Sequence, residues 1–171
     1  MKAVWESRVN CPETSAVGRL FDAAAALLGL VHTASFEGQG PMLLESLAGA
    51  ETQCSPRLPC TQNRQRVWEI DWAPLLEFLT DRHLSRAQRA AGFHAAVARA
   101  LLDQALAVRG QTGVECVGFG GGVFQNRLLV ESATRLLNQH GFKVAWSERI
   151  PVNDAGLSFG QLIDYAGHLA D

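Results

Sequence analysis

The apolar residues Val17, Leu20, Phe21, Ala24, Leu27 and Leu28 recur at three- and four-residue steps, which predicts a helix over 16–28 capped by Ser15 and closed by Gly29. Residues 31–36 read as a short strand. Gly38-Gln39-Gly40-Pro41 then breaks the chain ahead of a helix that has Pro41 in its first turn and 42–48 as its body. From 49 to 64 the pattern turns polar and aperiodic, which predicts a surface excursion without chemistry. Residues 66–72 read as a strand, and Pro74 opens a short helix through 79. Ser85-Arg86-Ala87-Gln88 is a capping-box pattern. It precedes a long helix to about 108, with Phe93, Val97, Leu101 and Ala105 on one face and Gly110 and Gly113 ending it.

The last third alternates regularly: strand 114–119, glycine turn 120–122, helix 125–139, strand 142–146, loop 147–153, helix 156–168. A strand, helix, strand order predicts a parallel pair joined by a right-handed crossover, with ligands beyond the carboxyl ends of the strands. Both the glycine turn and the Asn153-Asp154 loop belong to that end. The fold class is therefore α/β. One domain is expected over 1–171, with a mainly helical part at 14–109 and a βαβα nucleotide-binding part at 114–171.

Composition narrows the partners. The chain has 171 residues, 47% of them hydrophobic and 19% charged, and a formal net charge of −2. No broad basic field results, so nucleic acid is not an expected partner. No apolar run reaches the roughly 20 residues of a membrane helix, and the first ten residues lack the apolar stretch of a signal peptide, so a cytoplasmic protein is expected. Cysteines stand at 11, 54, 60 and 116 without a CxxC pair, which reads as free thiols.

Candidate chemistry concentrates at a few positions, each with a structural alternative. Gly120-Gly121-Gly122 is either a tight turn or a close approach to a phosphate held by the following helix. Asn126 is a ligand contact or an N-terminal cap. Asp154 is a helix cap or a hard carboxylate for a cation that bridges to phosphate. Gly18 and Asp22, four apart on the first helix, are either a packing glycine with a solvated charge or a face open to ribose hydroxyls. His94 reads as a residue at a packing edge rather than a base. No Ser-His-Asp or Cys-His arrangement is visible, and no catalytic residue is assigned.

The segments Thr14-Ser15-Ala16-Val17-Gly18-Arg19-Leu20-Phe21-Asp22-Ala23, Phe36-Glu37-Gly38-Gln39, Gly121-Gly122-Val123-Phe124-Gln125-Asn126-Arg127 and Asn153-Asp154-Ala155-Gly156-Leu157 occur in an order and spacing that resemble the C-terminal part of the HypF hydrogenase-maturation carbamoyltransferases. The chain is more distantly similar to the TsaD threonylcarbamoyl-adenosine enzymes and to carbamoyltransferases of antibiotic biosynthesis. The resemblance implies an actin-like, ribonuclease H-like half-domain with a helical insertion. It implies a transferase that makes carbamoyl-adenylate from carbamoyl phosphate and ATP, then passes the carbamoyl group to the C-terminal cysteine of HypE for the cyanide ligands of nickel-iron hydrogenase.

By the same resemblance, Gly18 and Asp22 lie on the ribose side of the nucleotide and Gly121, Gly122 and Asn126 on its adenine and sugar. Asp154 binds a divalent metal, iron, zinc or magnesium. The remaining metal ligands of the family are two histidines four apart in a preceding half-domain that this chain lacks. Glu37 and Gln39 match the family signature without a defined role. Expected partners are HypE and the N-terminal part of HypF, with homodimerisation as a further expectation. A non-catalytic module that keeps the fold is the alternative, and a TsaD-like or antibiotic-tailoring transferase the third reading.

Overall fold

The structure, a computed structural model, describes residues 6–7, 9, 11–12, 14–49 and 54–168. Expectations for residues 1–5 and 50–53 lie outside the described residues.

Helix α1 (Val17–Leu27) forms on the apolar repeat, but its cap differs from the expected one. Ala16 occupies the cap position with no side-chain bond, and Thr14 Oγ1 accepts the Ala16 N–H at 3.1 Å, so Ser15 is not the cap. Gly29, at φ 64°, ends the helix as expected. Its N–H donates to Ala26 and that of Leu30 to Ala25, which satisfies the last carbonyls. The strand expected at 31–36 is absent, and the segment bends instead. Among the described residues no strand pairs with it, and an unpaired strand would leave its backbone groups without partners. The Gln39 side chain accepts the Ser35 N–H at 2.7 Å and so ties this bend to helix α2 (Gln39–Ala48). Pro41 sits in the first turn of α2, as predicted.

The excursion at 49–64 contains an unforeseen strand. β1 (Cys60–Gln62) pairs antiparallel with β2 (Trp68–Ile70), which is shorter than the strand expected at 66–72. Asn63 makes the connection: its Oδ1 accepts the N–H groups of Gln65 and Val67, and Arg66 takes φ 63°. Helix α3 (Pro74–Thr80) follows. Helix α4 (Arg86–Thr112) carries the predicted capping box between Ser85 and Gln88. It runs through Gly110 and stops only at Gly113, beyond the expected end near 108.

Strand β3 (Cys116–Phe119), helix α5 (Arg127–Gln139) and strand β4 (Lys143–Trp146) form the predicted parallel unit, with Cys116 opposite Lys143 and Phe119 opposite Trp146. A 3-10 turn (Gly122–Gln125) precedes α5, which starts at Arg127 rather than at 125. A second such turn (Asp154–Gly156) leads into helix α6 (Leu157–His168). This is a mixed α/β architecture with six helices among the described residues.

Helix α4 is the centre of the core. Residues Ala90 to His94 and Ala96 to Ala98 are all buried, so the helix is covered on every side there rather than along one stripe. It packs against α2, α3, α5 and the hairpin. Phe21 of α1 meets Phe93 edge-on with ring centroids 4.8 Å apart. Leu44, Leu75, Leu102, Leu129 and Leu137 are among the fully buried side chains around them. Helix α6 differs, since none of its described residues is buried. Among the described residues no helix is long and apolar enough to cross a membrane.

Candidate functional site

The glycine turn and the loop after β4 meet at the carboxyl ends of the parallel strands. Gly121 has φ 105° and ψ 156°, a conformation that a Cβ makes very costly, so glycine is required there. Its N–H donates to the Val152 carbonyl at 2.7 Å. Phe119 and Phe124 stack with centroids 4.5 Å apart and hold the turn against the end of β3.

Across from the turn, Ser147 Oγ donates to the Ile150 carbonyl at 2.7 Å and accepts the Ile150 N–H, which folds the loop on itself. Asn153, not Asp154, is the cap: its Oδ1 accepts the Ala155 N–H at 3.2 Å. The Asp154 carboxylate therefore has no capping duty. Gly156 is forced by close approach, because a Cβ there would overlap the Pro151 carbonyl oxygen and stand 3.2 Å from Ile150 Cγ2.

Gly121 and Asp154 line one open pocket of about 550 Å³, together with Val152, Gly156, Gln161 and Asp164. Gly122 stands beside it, its Cβ direction pointing to Asn153 at 3.8 Å. The sequence reading missed Gln161 and Asp164. A signal existed, because Leu157, Gly160, Gln161 and Asp164 follow a three- and four-residue step that places them on one face of α6.

Asn126 has a different environment. It is 7% exposed and caps α5, its Oδ1 accepting the Leu129 N–H at 2.8 Å while Nδ2 lies 3.1 Å from His94 Nε2. Glu45 of α2 accepts the neighbouring Leu128 N–H at 3.1 Å. Two donors at the start of α5 are thus satisfied by the protein itself, and a carboxylate already sits at the positive end of the helix dipole. A phosphate held by α5, one option in the sequence, would find these two N–H groups already taken.

His94, expected at a packing edge, is instead 1% exposed between Phe21, Phe93 and Asn126. Burial pushes its imidazole below the ordinary range, against the raising effects of the Ala90 hydrogen bond and the Glu45 charge.

Gly18 and Asp22 lie on α1, which packs against the turn formed by Gly122–Gln125 but does not line the pocket. Gly18 falls in the first turn of the helix, and a Cβ there would meet nothing within 4 Å, so tight packing does not explain it. Asp22 pairs with Arg19 at 2.9 Å. Its Oδ1 also faces Gly40, which brings the Phe36-Glu37-Gly38-Gln39 segment beside it.

For a metal, Asp154 offers one exposed carboxylate. Among the described residues no group of three His, Cys, Asp or Glu side chains converges to hold an ion. A single carboxylate in water binds divalent cations weakly and without selectivity, so this chain's donors do not by themselves fit a metal site. All four cysteines are unbridged.

The parallel unit, the glycine turn and the Asn153-Asp154 loop belong to a class defined by comparison with known proteins. Residues 1–161 match the family described as carbamoyltransferase, Kae1-like domain, second subdomain, and the chain belongs to that family. The relatives are HypF proteins. The chain is 34% identical over 170 residues to carbamoyltransferase HypF of Synechocystis sp., covering 95% of this chain and 21% of the relative. It is 39% identical over 163 residues to HypF of Rhodobacter capsulatus, with 94% and 21% covered. A crystal structure of full-length HypF in the phosphate- and nucleotide-bound form superposes with a TM-score of 0.86 at 34% identity, over 93% of this chain and 21% of that one. The chain therefore spans about a fifth of the length of these relatives.

Proposed function

We propose that this chain is the nucleotide-binding lobe of a HypF-type carbamoyltransferase with an actin-like fold. In the complete protein, water cleaves carbamoyl phosphate to carbamate and phosphate, and the carbamate attacks the α-phosphorus of ATP to give carbamoyl-adenylate with release of pyrophosphate. The thiolate of the HypE C-terminal cysteine then attacks the carbamoyl carbon and AMP leaves. The observation that carries this reading is the shared pocket of Gly121 and Asp154 at the carboxyl ends of the parallel strands. Ligands of such sheets bind at that edge, and a full-length HypF crystallises with nucleotide bound.

In this reading Gly121 and Gly122 let the nucleotide approach the backbone. Gly18 leaves open space on α1, and Asp22 accepts from ribose hydroxyls at the cost of sharing Arg19. Asn126 meets the ligand only through its small exposed part and otherwise holds the turn. Asp154 contributes one ligand to a divalent metal, the histidines of the preceding half-domain supplying the rest.

The remaining chain also has a place to dock. Phe159, Leu162, Ile163 and Tyr165 of α6 are between 47 and 67% exposed, and Trp146 of β4 is 47% exposed. An apolar surface of that kind is a contact face. The first subdomain is its occupant, since the family's second subdomain is what this chain matches.

Titration calorimetry of the purified chain with ATP or ADP tests the reading, with weak binding expected and weaker binding in Asp22→Ala. Absence of heat at millimolar nucleotide would leave the non-catalytic module as the function. Carbamoyl-phosphate-dependent ATP–pyrophosphate exchange is expected only when the preceding part of the protein is added, and activity of this chain alone would contradict an incomplete site.

A further inference from the structure

Three elements meet at one buried hydrogen-bond chain. It begins at the Ala90 carbonyl, 2.8 Å from His94 Nδ1, passes through the ring to Asn126 Nδ2 at 3.1 Å from Nε2, and ends where Asn126 Oδ1 accepts the Leu129 N–H at 2.8 Å. Its two ends are backbone groups of fixed polarity, and this dictates every proton between them. A carbonyl only accepts, so His94 carries its proton on Nδ1. A neutral ring then has a bare Nε2, which needs a donor. Asn126 supplies it with Nδ2 and turns Oδ1 to the Leu129 N–H, which can only donate. One tautomer of His94 and one amide orientation of Asn126 satisfy all the groups.

We propose that His94 is the positioning residue for Asn126. Through its Nε2 lone pair it holds the amide in the orientation that caps α5 and secures the glycine turn, so nucleotide affinity depends on a side chain that is 1% exposed. The affinity half of this statement rests on the nucleotide-binding reading above; the tautomer half does not. The surroundings reinforce the neutral ring. Phe21 from α1 and Phe93 from α4 meet it edge-on, Asn126 comes from the start of α5, and Glu45 from α2 is the ionisable group whose charge reaches it.

A second proton on the ring would set Nε2–H against Nδ2–H. Rotating the Asn126 amide would relieve that clash but would put Nδ2 against the Leu129 N–H. Either way one bond of the chain is lost, and a buried group without a partner is costly. The cap of α5 and the Gly121-Gly122 turn ahead of it are the parts that yield.

The test uses the full chain. At pH 7.5, nitrogen-15 spectra of the His94 ring are expected to show a protonated Nδ1 and a bare Nε2, with slow hydrogen exchange at the Leu129 amide. Lowering the pH until the ring protonates is expected to speed that exchange and to weaken ATP binding in step. His94→Leu, which offers Asn126 no acceptor, is expected to bind ATP about tenfold more weakly than the wild type does at pH 7.5, the effect of roughly one hydrogen bond, and to show little further loss as the pH falls. His94→Gln restores an acceptor that does not titrate, and is expected to recover most of that loss and to bind with little pH dependence. A ring protonated on Nε2 at pH 7.5 would overturn the proposal even if the variants fail to fold. So would His94→Leu with unchanged ATP affinity and unchanged Leu129 exchange. If the wild type gives no heat with ATP, the nucleotide-binding reading fails, while the ring tautomer and the Leu129 exchange still decide the role of His94.

Discussion

The backbone N–H of Gly121 donates to the carbonyl of Val152 at 2.7 Å, joining the glycine turn after β3 to the loop after β4. The two segments, thirty-one residues apart in the chain, therefore form one wall of the pocket. Asp154 takes its place in that wall because its own loop is closed by Asn153 and Gly156.

Replacing Gly156 by alanine is expected to disturb that wall directly. The added Cβ would overlap the Pro151 carbonyl, which is backbone and cannot swing aside. A cost of about 1–3 kcal/mol is expected from such overpacking. Thermal melting should fall and ATP affinity with it. A variant with wild-type melting and affinity would show that the loop tolerates the shift.

Asp154 makes the opposite case. No hydrogen bond or ion pair to its carboxylate occurs among the described residues, so Asp154→Asn should leave stability within about 0.5 kcal/mol of the wild type. Carbamoyl-phosphate-dependent exchange in the completed protein should nevertheless drop sharply. Full activity of Asp154→Asn would remove this residue from the site.

Gly18→Ala separates a helix effect from a ligand effect. Alanine meets nothing within 4 Å at this position and suits a helix better by up to about 1 kcal/mol, so melting should rise slightly. If nucleotide lies over this turn, ATP affinity should fall at the same time. Higher stability with unchanged affinity would move the ribose contact elsewhere.

Stability should also depend on pH through His94, whose folded pKa burial lowers. An unfolded imidazole titrates near about 6.5. Above that value neither state is protonated and the folded chain keeps its full stability. Below it the unfolded chain takes up a proton that the folded ring resists, so stability declines as pH falls toward the lowered folded value. Melting temperatures between pH 7.5 and 5.5 should decrease in the wild type and decrease less in His94→Gln. Equal slopes in the two proteins would assign the pH dependence to other groups.

The apolar face of α6 should matter only in assembly. Ile163 is 58% exposed, so Ile163→Glu should melt like the wild type but fail to co-purify with the first subdomain. Light scattering of the chain alone reports the competing outcome, a homodimer through the same face.

Elements with short-range signals were legible before any coordinates. The Ser85–Gln88 capping box, the Gly29 stop and the order of β3, α5 and β4 each rest on bonds or spacings within a few residues. The hairpin of β1 and β2 was not legible, because Arg66 occupies the positive-φ position where glycine or asparagine would have marked a turn. Residues 31–36 misled for a related reason. Their composition suits a strand, but among the described residues no strand pairs with them to complete a ladder.

Within the candidate site, the sequence alone determined the glycine at Gly121, the motifs that carry the family, and the placement of Gly121 and Asp154 at one end of the parallel pair. Tertiary structure decided which groups were already committed. Glu45 reaches the Leu128 N–H from 83 residues away, and His94 holds Asn126 across 32. Such pairs leave no local pattern, because they depend on how α2, α4 and α5 pack and not on the bonds within any one of them. That packing committed two of the N–H donors at the start of α5 to Glu45 and Asn126, and turned a histidine expected at an edge into the centre of the polar network.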